Sequence, residues 1–221
     1  MINGLIAALQ HLAGPGVAVA VRNSAELPEP AWPVETVTMT RASPARLAEF
    51  SVGRAAARAA LHTLGQPQAA IPSGPDRAPV WPLGIVGSIS HTGGICAALV
   101  GQAGPIRAIG VDLEPDEPLD PDLWADICGT VELDFLTGLP PADRGRAAHL
   151  IFSAKECTYK CIYPQMRTVV GFDAMTLTVD LTGSGFAATP RFQLGPFGPD
   201  DQLCGGYAVV GGLIATVMVL R

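Results

Sequence analysis

Five prolines stand between Gln66 and Gly84 (Pro67, Pro72, Pro75, Pro79 and Pro82), with Ser73, Gly74 and Asp76 among them, so neither a helix nor an interior strand can run through this stretch. The chain is therefore divided into structure before and structure after a long loop. Before it, Arg46 to Leu64 is alanine-rich with apolar residues at helical spacing, and Gly65 supplies a stop, which predicts a helix. After it, Ile85 to Ser90 and Ile95 to Val100 flank His-Thr-Gly-Gly and predict a β-hairpin with Ser90 and His91 at its tip. Loops of this length in a compact domain tend to be functional, and this one holds Arg77 and Trp81.

Further on, Ile109 to Glu114 begins as an apolar strand and ends with Asp112 and Glu114 on one face, two residues apart, before Pro115 stops it. Helices are predicted near Asp120 to Ile127, around Val131 to Phe135, and from Asp143 through Ile162, short of Pro164. Strands are predicted at Ala174 to Val179, Phe186 to Phe192 and Tyr207 to Leu220. The last of these reads as a second copy of the Gly87 to Val100 hairpin. The expectation is an α+β chain of two pseudo-symmetric halves, residues 1–104 and 105–221, forming one two-lobed unit.

With 221 residues, 48% of them hydrophobic and 15% charged, the chain can bury a large core. A net charge of -6 argues against nucleic acid and anionic membrane as principal partners, so an anionic ligand must meet a local basic cluster. Five cysteines are scattered without a disulfide framework, which fits a reducing cytosol. Cys157 and Cys161 share a helical face, but no second Cys or His pair completes a zinc site, and buried apolar cysteine is the expectation. The apolar N-terminus has no basic region, and Gln10 and His11 interrupt it too soon for a span, so neither an export signal nor a membrane helix is expected.

The chemistry concentrates in a short segment. The only two lysines of the chain, Lys155 and Lys160, both fall in Ile-Phe-Ser-Ala-Lys-Glu-Cys-Thr-Tyr-Lys, whereas the other twelve basic residues are arginine. An ammonium is a compact point charge with a tunable pKa, so its retention here points to chemistry. The plainer alternative is a surface ion pair between Glu156 and Lys160, contributing about 0.3 to 0.5 kcal/mol. Asp112, Glu114 and Glu156 form an all-oxygen donor set suited to Mg²⁺ or Mn²⁺, and Arg46, Arg54, Arg58, Arg77, His91, Lys155 and Lys160 are candidate phosphate partners. No Walker, kinase or dinucleotide-binding motif occurs, nor a Gly-x-Ser-x-Gly elbow.

Arg-x-Pro-x-Trp-Pro at 77–82, Leu-Gly-Ile-Val-Gly-Ser-Ile-Ser-His at 83–91, Ile-Gly-Val-Asp-Leu-Glu-Pro at 109–115, Phe-Ser-Ala-Lys-Glu-Cys-Thr-Tyr-Lys at 152–160 and Gly-Phe-Asp at 171–173 follow in this order. Together they strongly resemble the 4′-phosphopantetheinyl transferases, in the enterobactin-synthase-type branch of the surfactin-type bacterial group. The resemblance runs from about Arg46 to about Phe172. It implies that family's α+β fold, with the active site between two pseudo-symmetric halves. It also implies transfer of the phosphopantetheine arm of coenzyme A to a serine of an apo acyl- or peptidyl-carrier protein, serving siderophore or polyketide biosynthesis and releasing adenosine 3′,5′-bisphosphate.

Matched by motif, Asp112, Glu114 and Glu156, with the Leu113 backbone beside them, would hold Mg²⁺, or Mn²⁺, on the CoA diphosphate. Ser90 and His91 would contact CoA phosphates, and Arg46, Arg58 and Arg77, with Pro79 of the same motif, would lie near the adenosine 3′-phosphate. Glu156 would take the proton of the carrier serine, and Lys160 would touch the diphosphate and serve the leaving oxygen. Arg77 stands where relatives carry lysine, and Arg46 is taken for a phosphate-binding arginine that relatives place at the position of Ala48. Carrier helices are commonly acidic, so docking is expected on Arg144, Arg146 and Arg167. A monomeric cytoplasmic enzyme is expected. The alternatives are a CoA-binding module without transferase activity and a Mg²⁺-dependent phosphohydrolase.

Overall fold

In the computed structural model, which describes residues 2–25 and 30–221, the elements run α1 (Ile2–Ala13), β1 (Val17–Asn23), α2 (Pro44–Thr63), β2 (Ile85–Thr92), β3 (Ile95–Gln102) and β4 (Ala108–Pro115). There follow α3 (Trp124–Ile127), α4 (Thr130–Gly138), α5 (Pro141–Met166), β5 (Met175–Asp180), β6 (Gly185–Pro190), β7 (Leu203–Val210) and β8 (Leu213–Leu220). The strands form two antiparallel sheets, a three-stranded one in the order β1-β3-β2 and a five-stranded one in the order β4-β8-β7-β6-β5. The fold is α+β.

Two glycine pairs set the hairpins. Gly93-Gly94 and Gly211-Gly212 all have positive φ, which two-residue turns of the type I′ kind require, and each joins a pair of eight-residue strands. The β2–β3 turn is therefore tighter than His-Thr-Gly-Gly suggests, and His91 sits within β2, paired with Cys96. Ser43 caps α2 by accepting from Arg46 N, with Pro44 in the first turn, where its missing donor costs nothing.

α2 lies on the small sheet, burying Ala56, Ala57, Ala60 and Leu61 against Ala18, Ala20, Ala98 and Val100. α1 fills the angle between the sheets, with Leu5, Leu9 and Ala13 packed among Val17, Val19, Leu99, Ile109, Val111 and Val217. α5 packs on β4 and β8, and Gly110 makes that possible, because a β-carbon there would run into Cys157 O. Contrary to the expectation that it stops short of Pro164, α5 continues to Met166 and ends at Arg167 in the left-handed region. Pro164 falls in its last turn, so the Lys160 carbonyl loses its helical donor but only two residues of helix follow.

The edge strands β2 and β4 face each other where the sheets meet, and serine hydroxyls join them. Ser88 Oγ accepts from Val111 N at 3.1 Å and Ser90 Oγ from Leu113 N at 3.2 Å. Both serines are buried, and each satisfies a backbone donor that would cost about 1–3 kcal/mol if orphaned. Among the described residues no helix is long and apolar enough to cross a membrane.

Candidate active site

At this seam β2, β4, α2 and α5 enclose a cavity of about 740 Å³. Asp112, near the end of β4, is 2% exposed and fully engaged. Its Oδ1 accepts from Ser90 Oγ at 3.0 Å and from Lys160 Nζ at 2.5 Å, and its Oδ2 accepts from Ser153 Oγ at 2.9 Å. Ser90 Oγ also accepts from Lys160 Nζ at 3.2 Å, so the hydroxyl joins β2, β4 and α5 at one atom. Two residues along, Glu114 Oε2 lies 3.5 Å from His149 Nε2, whose Nδ1 donates to Glu117 O at 2.8 Å. The hydrogen bond to Glu114 raises the His149 pKa above its ordinary value against the effect of burial.

The close approach of α5 at Gly110 brings Glu156 and Lys160, four residues apart, to the same cavity wall as Asp112 and Glu114. Burial raises the Glu156 pKa above the ordinary carboxylate value; Lys160 opposes the rise, and the neighbouring charges of Asp112 and Glu114 add to it. Three carboxylates on one wall offer oxygen donors alone, which suits Mg²⁺ or Mn²⁺. They are not gathered as a ready coordination shell, since among the described residues no group of three His, Cys, Asp or Glu is arranged to hold a metal. The Lys160 ammonium pairs with Asp112, and His149 with Glu114. The donor chemistry of the three carboxylates fits the ion.

The same lining carries cations, and Glu49 pairs with one of them, Arg46, at 3.3 Å. Arg46, Arg54, Arg77 and His91 belong to it, together with Pro79. Arg46 Nη1 donates to His91 Nε2 at 2.8 Å, and burial followed by this guanidinium lowers the His91 pKa, so the ring is a neutral acceptor there. Arg54 is 6% exposed, stacks on Phe50 and donates to Ser73 Oγ at 3.0 Å, while its Nε has no partner among the described residues. Desolvation pushes its pKa down to about 10, the mark of a buried cation facing a polar cavity with too little counter-charge.

Other expected residues lie elsewhere. Arg58 is 1% exposed and outside the cavity lining; its Nη1 donates to both Glu35 oxygens, at 2.9 and 2.7 Å, while Glu35 also accepts from the Trp32 and Ile71 backbones. The Leu113 side chain is in the core, and its N–H is taken by Ser90. Lys155 points away from the cavity, 2.9 Å from Glu132 Oε1, and donates to Ile127 O and Phe172 O. Arg144 donates to Thr137 O and Leu139 O at the end of α4, Arg146 is 3.5 Å from Asp116, and Arg167 pairs with Asp76. Cys157 and Cys161 are buried in the core, and burial raises both thiol pKa values.

The family model for the 4′-phosphopantetheinyl transferase N-terminal domain matches residues 34–101, and that for the 4′-phosphopantetheinyl transferase superfamily matches residues 108–208. The chain is 33% identical over 201 residues to the 4′-phosphopantetheinyl transferase PptT of Mycobacterium tuberculosis, a match that takes in 85% of each protein. The chain belongs to the 4′-phosphopantetheinyl transferase family. It is also 39% identical over 160 residues to the 4′-phosphopantetheinyl transferase Svp of Streptomyces mobaraensis, covering 71% of this chain and 64% of Svp, just under two thirds of that relative. To the Enterobactin synthase component D of Salmonella typhi it is 35% identical over 139 residues, covering 60% and 55% of the two chains.

In this transferase-family chain, Arg54 is legible from the sequence only as one of several candidate phosphate partners, and the parts played by Ser88, Ser153 and His149 are not legible at all. Ser88 and Ser90 carried only the signal that residues two apart on a strand share a face. Ser153 and His149 carried none, since their partners Asp112 and Glu114 are distant in sequence.

Proposed function

We propose that this chain transfers the 4′-phosphopantetheine arm of coenzyme A to a serine of an acyl- or peptidyl-carrier protein, releasing adenosine 3′,5′-bisphosphate. The observation that carries the proposal is the lining of one seam cavity, which brings Arg46, Arg54, Arg77 and His91 together with Asp112, Glu114, Glu156 and Lys160. A polyanion whose diphosphate needs both cations and metal-binding carboxylates matches that lining. The N-terminal half, residues 1–104, supplies the phosphate-binding end, and the C-terminal half, residues 105–221, supplies the carboxylates. Svp, PptT and Npt of Nocardia iowensis, each named a 4′-phosphopantetheinyl transferase, support the activity. The ordered motifs and the match to Enterobactin synthase component D favour the enterobactin-synthase-type branch.

Arg46, Arg54 and Arg77 bind the 3′-phosphate end, and His91, whose Nε2 accepts from Arg46, is left with an Nδ1–H that donates to a phosphate oxygen or a bridging water. Mg²⁺, held by Asp112, Glu114 and Glu156 beside the Leu113 backbone, would neutralise the diphosphate. The Glu156 carboxylate, its basicity raised by burial and its acidic neighbours, takes the proton of the carrier serine. That serine oxygen forms a bond to the phosphorus bearing the pantetheine arm, and the bond from this phosphorus to the bisphosphate oxygen breaks. Lys160 Nζ, within reach of Asp112 and Ser90, turns to the leaving oxygen and offsets its charge. A single chain holds every group named, so a monomer suffices, and five free cysteines suit a reducing cytoplasm.

The test is the intact mass of an apo acyl-carrier protein incubated with this protein, CoA and Mg²⁺, with an EDTA control. A gain of one phosphopantetheine group that EDTA abolishes is the expected result. No gain across several carriers despite tight CoA binding would reduce the protein to a CoA-binding module.

A further inference from the structure

The loop that brings Arg77 to the cavity is anchored from the opposite half of the molecule. Residues 72–80 form a small turn closed by Gly74 N donating to Ala78 O at 2.8 Å and Val80 N to Pro72 O at 2.8 Å, with Ser73 bridged to Pro79. At its tip, Asp76 Oδ2 accepts from Tyr163 Oη at 2.9 Å and from Arg167 Nη1 at 3.0 Å, both at the C-terminal end of α5, while Oδ1 accepts from Ala78 N at 3.1 Å. The next residue, Arg77, has φ +67, and its partner across the contact, Arg167, has φ +51. Left-handed backbone in a bulky residue persists only where its surroundings hold it, and here both strained residues adjoin the same carboxylate. Arg77 in turn lines the CoA cavity, and it also lines a second cavity of about 640 Å³ on the far side of the loop, under Trp81 and Tyr163. Gly74, Pro75, Arg77 and Pro79 line both cavities, so the loop is a partition between them.

We propose that Asp76 is a positioning residue: clasped by Tyr163 and Arg167 of α5, it holds the 72–80 loop across the seam and thereby fixes Arg77 for the phosphates of CoA. The inference rests on the CoA reading of the cavity. Its chemistry is consistent with a clasp that stays formed at working pH, since the Tyr163 hydroxyl, above all, holds the Asp76 carboxyl below its ordinary pKa. The clasp touches neither Glu156 nor the metal-binding carboxylates, so its loss acts on CoA binding and leaves the chemical step alone.

The experiment is CoA affinity by calorimetry and steady-state transfer kinetics for Asp76→Asn, Tyr163→Phe, Arg77→Met and the Asp76→Asn/Arg77→Met double variant. Asp76→Asn is expected to raise the CoA Kd and KM roughly five- to ten-fold with kcat within twofold, the lower range of a coupling between sites. Tyr163→Phe should do so to a smaller degree and serves if Asp76→Asn folds poorly. In the Arg77→Met background, Asp76→Asn should have no further effect, which a merely structural role would not produce. An unchanged CoA affinity, an additive double variant, or a fall in kcat matching the rise in KM overturns the clasp. Wild-type protein that binds CoA but transfers nothing would sink the transferase reading while the calorimetry still decided the role of Asp76.

Discussion

Replacing Lys155 by methionine separates two roles that its place in the motif leaves open. Lys155 is 2% exposed and Glu132 1%, and their charges meet at 2.9 Å. Glu132 also accepts from Gly129 N and Leu177 N, each at 2.9 Å, and so ties α4 and β5 to α5. Removing one partner of such a pair leaves an uncompensated buried charge, a cost of about 3–5 kcal/mol. At about 2–4 °C per kcal/mol for a chain of this size, Tm should fall by roughly 6–20 °C. Lys155→Met/Glu132→Gln should recover part of the loss, because no charge is then stranded and the amide oxygen still serves one backbone donor. The assay is thermal unfolding by circular dichroism, paired with CoA calorimetry well below the transition, where affinity should stay within twofold. A Tm close to wild type together with a tenfold loss of CoA affinity would refute the argument and make Lys155 a phosphate ligand.

Glu156→Gln should lower kcat by about 10²- to 10⁴-fold at saturating CoA, the range for loss of a general base. The same variant should melt higher than wild type at neutral pH. A carboxyl whose folded pKa is raised favours folding when protonated, and that contribution is lost as pH rises from the ordinary carboxylate range through the raised value. Melts across that range should therefore converge toward acid, and a gap that widens there would contradict the sign. Gly110→Ala should cost about 1–3 kcal/mol or more by forcing α5 off β4, and should lower transfer even at temperatures where the protein is folded, as measured by melts and single-turnover rates. Ser88→Ala and Ser90→Ala should each cost about 1–3 kcal/mol by orphaning a backbone donor, but only Ser90→Ala should also slow transfer, since only Ser90 touches Asp112 and Lys160. Equal kinetic effects would remove that distinction.

Local periodicity made much of this legible. The Gly-Gly hairpins, the capped α2 and the pairing of Asp112 with Glu114 and of Glu156 with Lys160 all follow from spacings of two to four residues. The two lysines could have been separated the same way: at 3.6 residues per turn, positions 155 and 160 point about 140° apart, so the helix cannot present both to one cavity. Arg54 and Arg58 are the harder case. Both lie on one side of α2, yet Arg54 faces the cavity while Arg58 turns to Glu35, a choice set by the Trp32–Glu35 turn and the Ile71 backbone. No property of α2 itself reveals that partner. α1 was equally hidden, because its apolar face becomes meaningful only against strands from both ends of the chain.

Those long-range choices converge at the seam and explain why chemistry collects there. Had β2 and β4 paired directly, a continuous sheet would have closed at about 4.8 Å spacing, leaving no room between the strands for polar side chains. With Ser88 and Ser90 standing in for the ladder, the donors of β4 are satisfied at side-chain distance and the two sheets part enough to open a cavity between α2 and α5. Asp112 can then be buried with its oxygens satisfied, because two hydroxyls and an ammonium reach it from two other elements, β2 and α5. A carboxylate so held on rigid backbone is placed before substrate arrives, which is what charge stabilisation in a transition state requires.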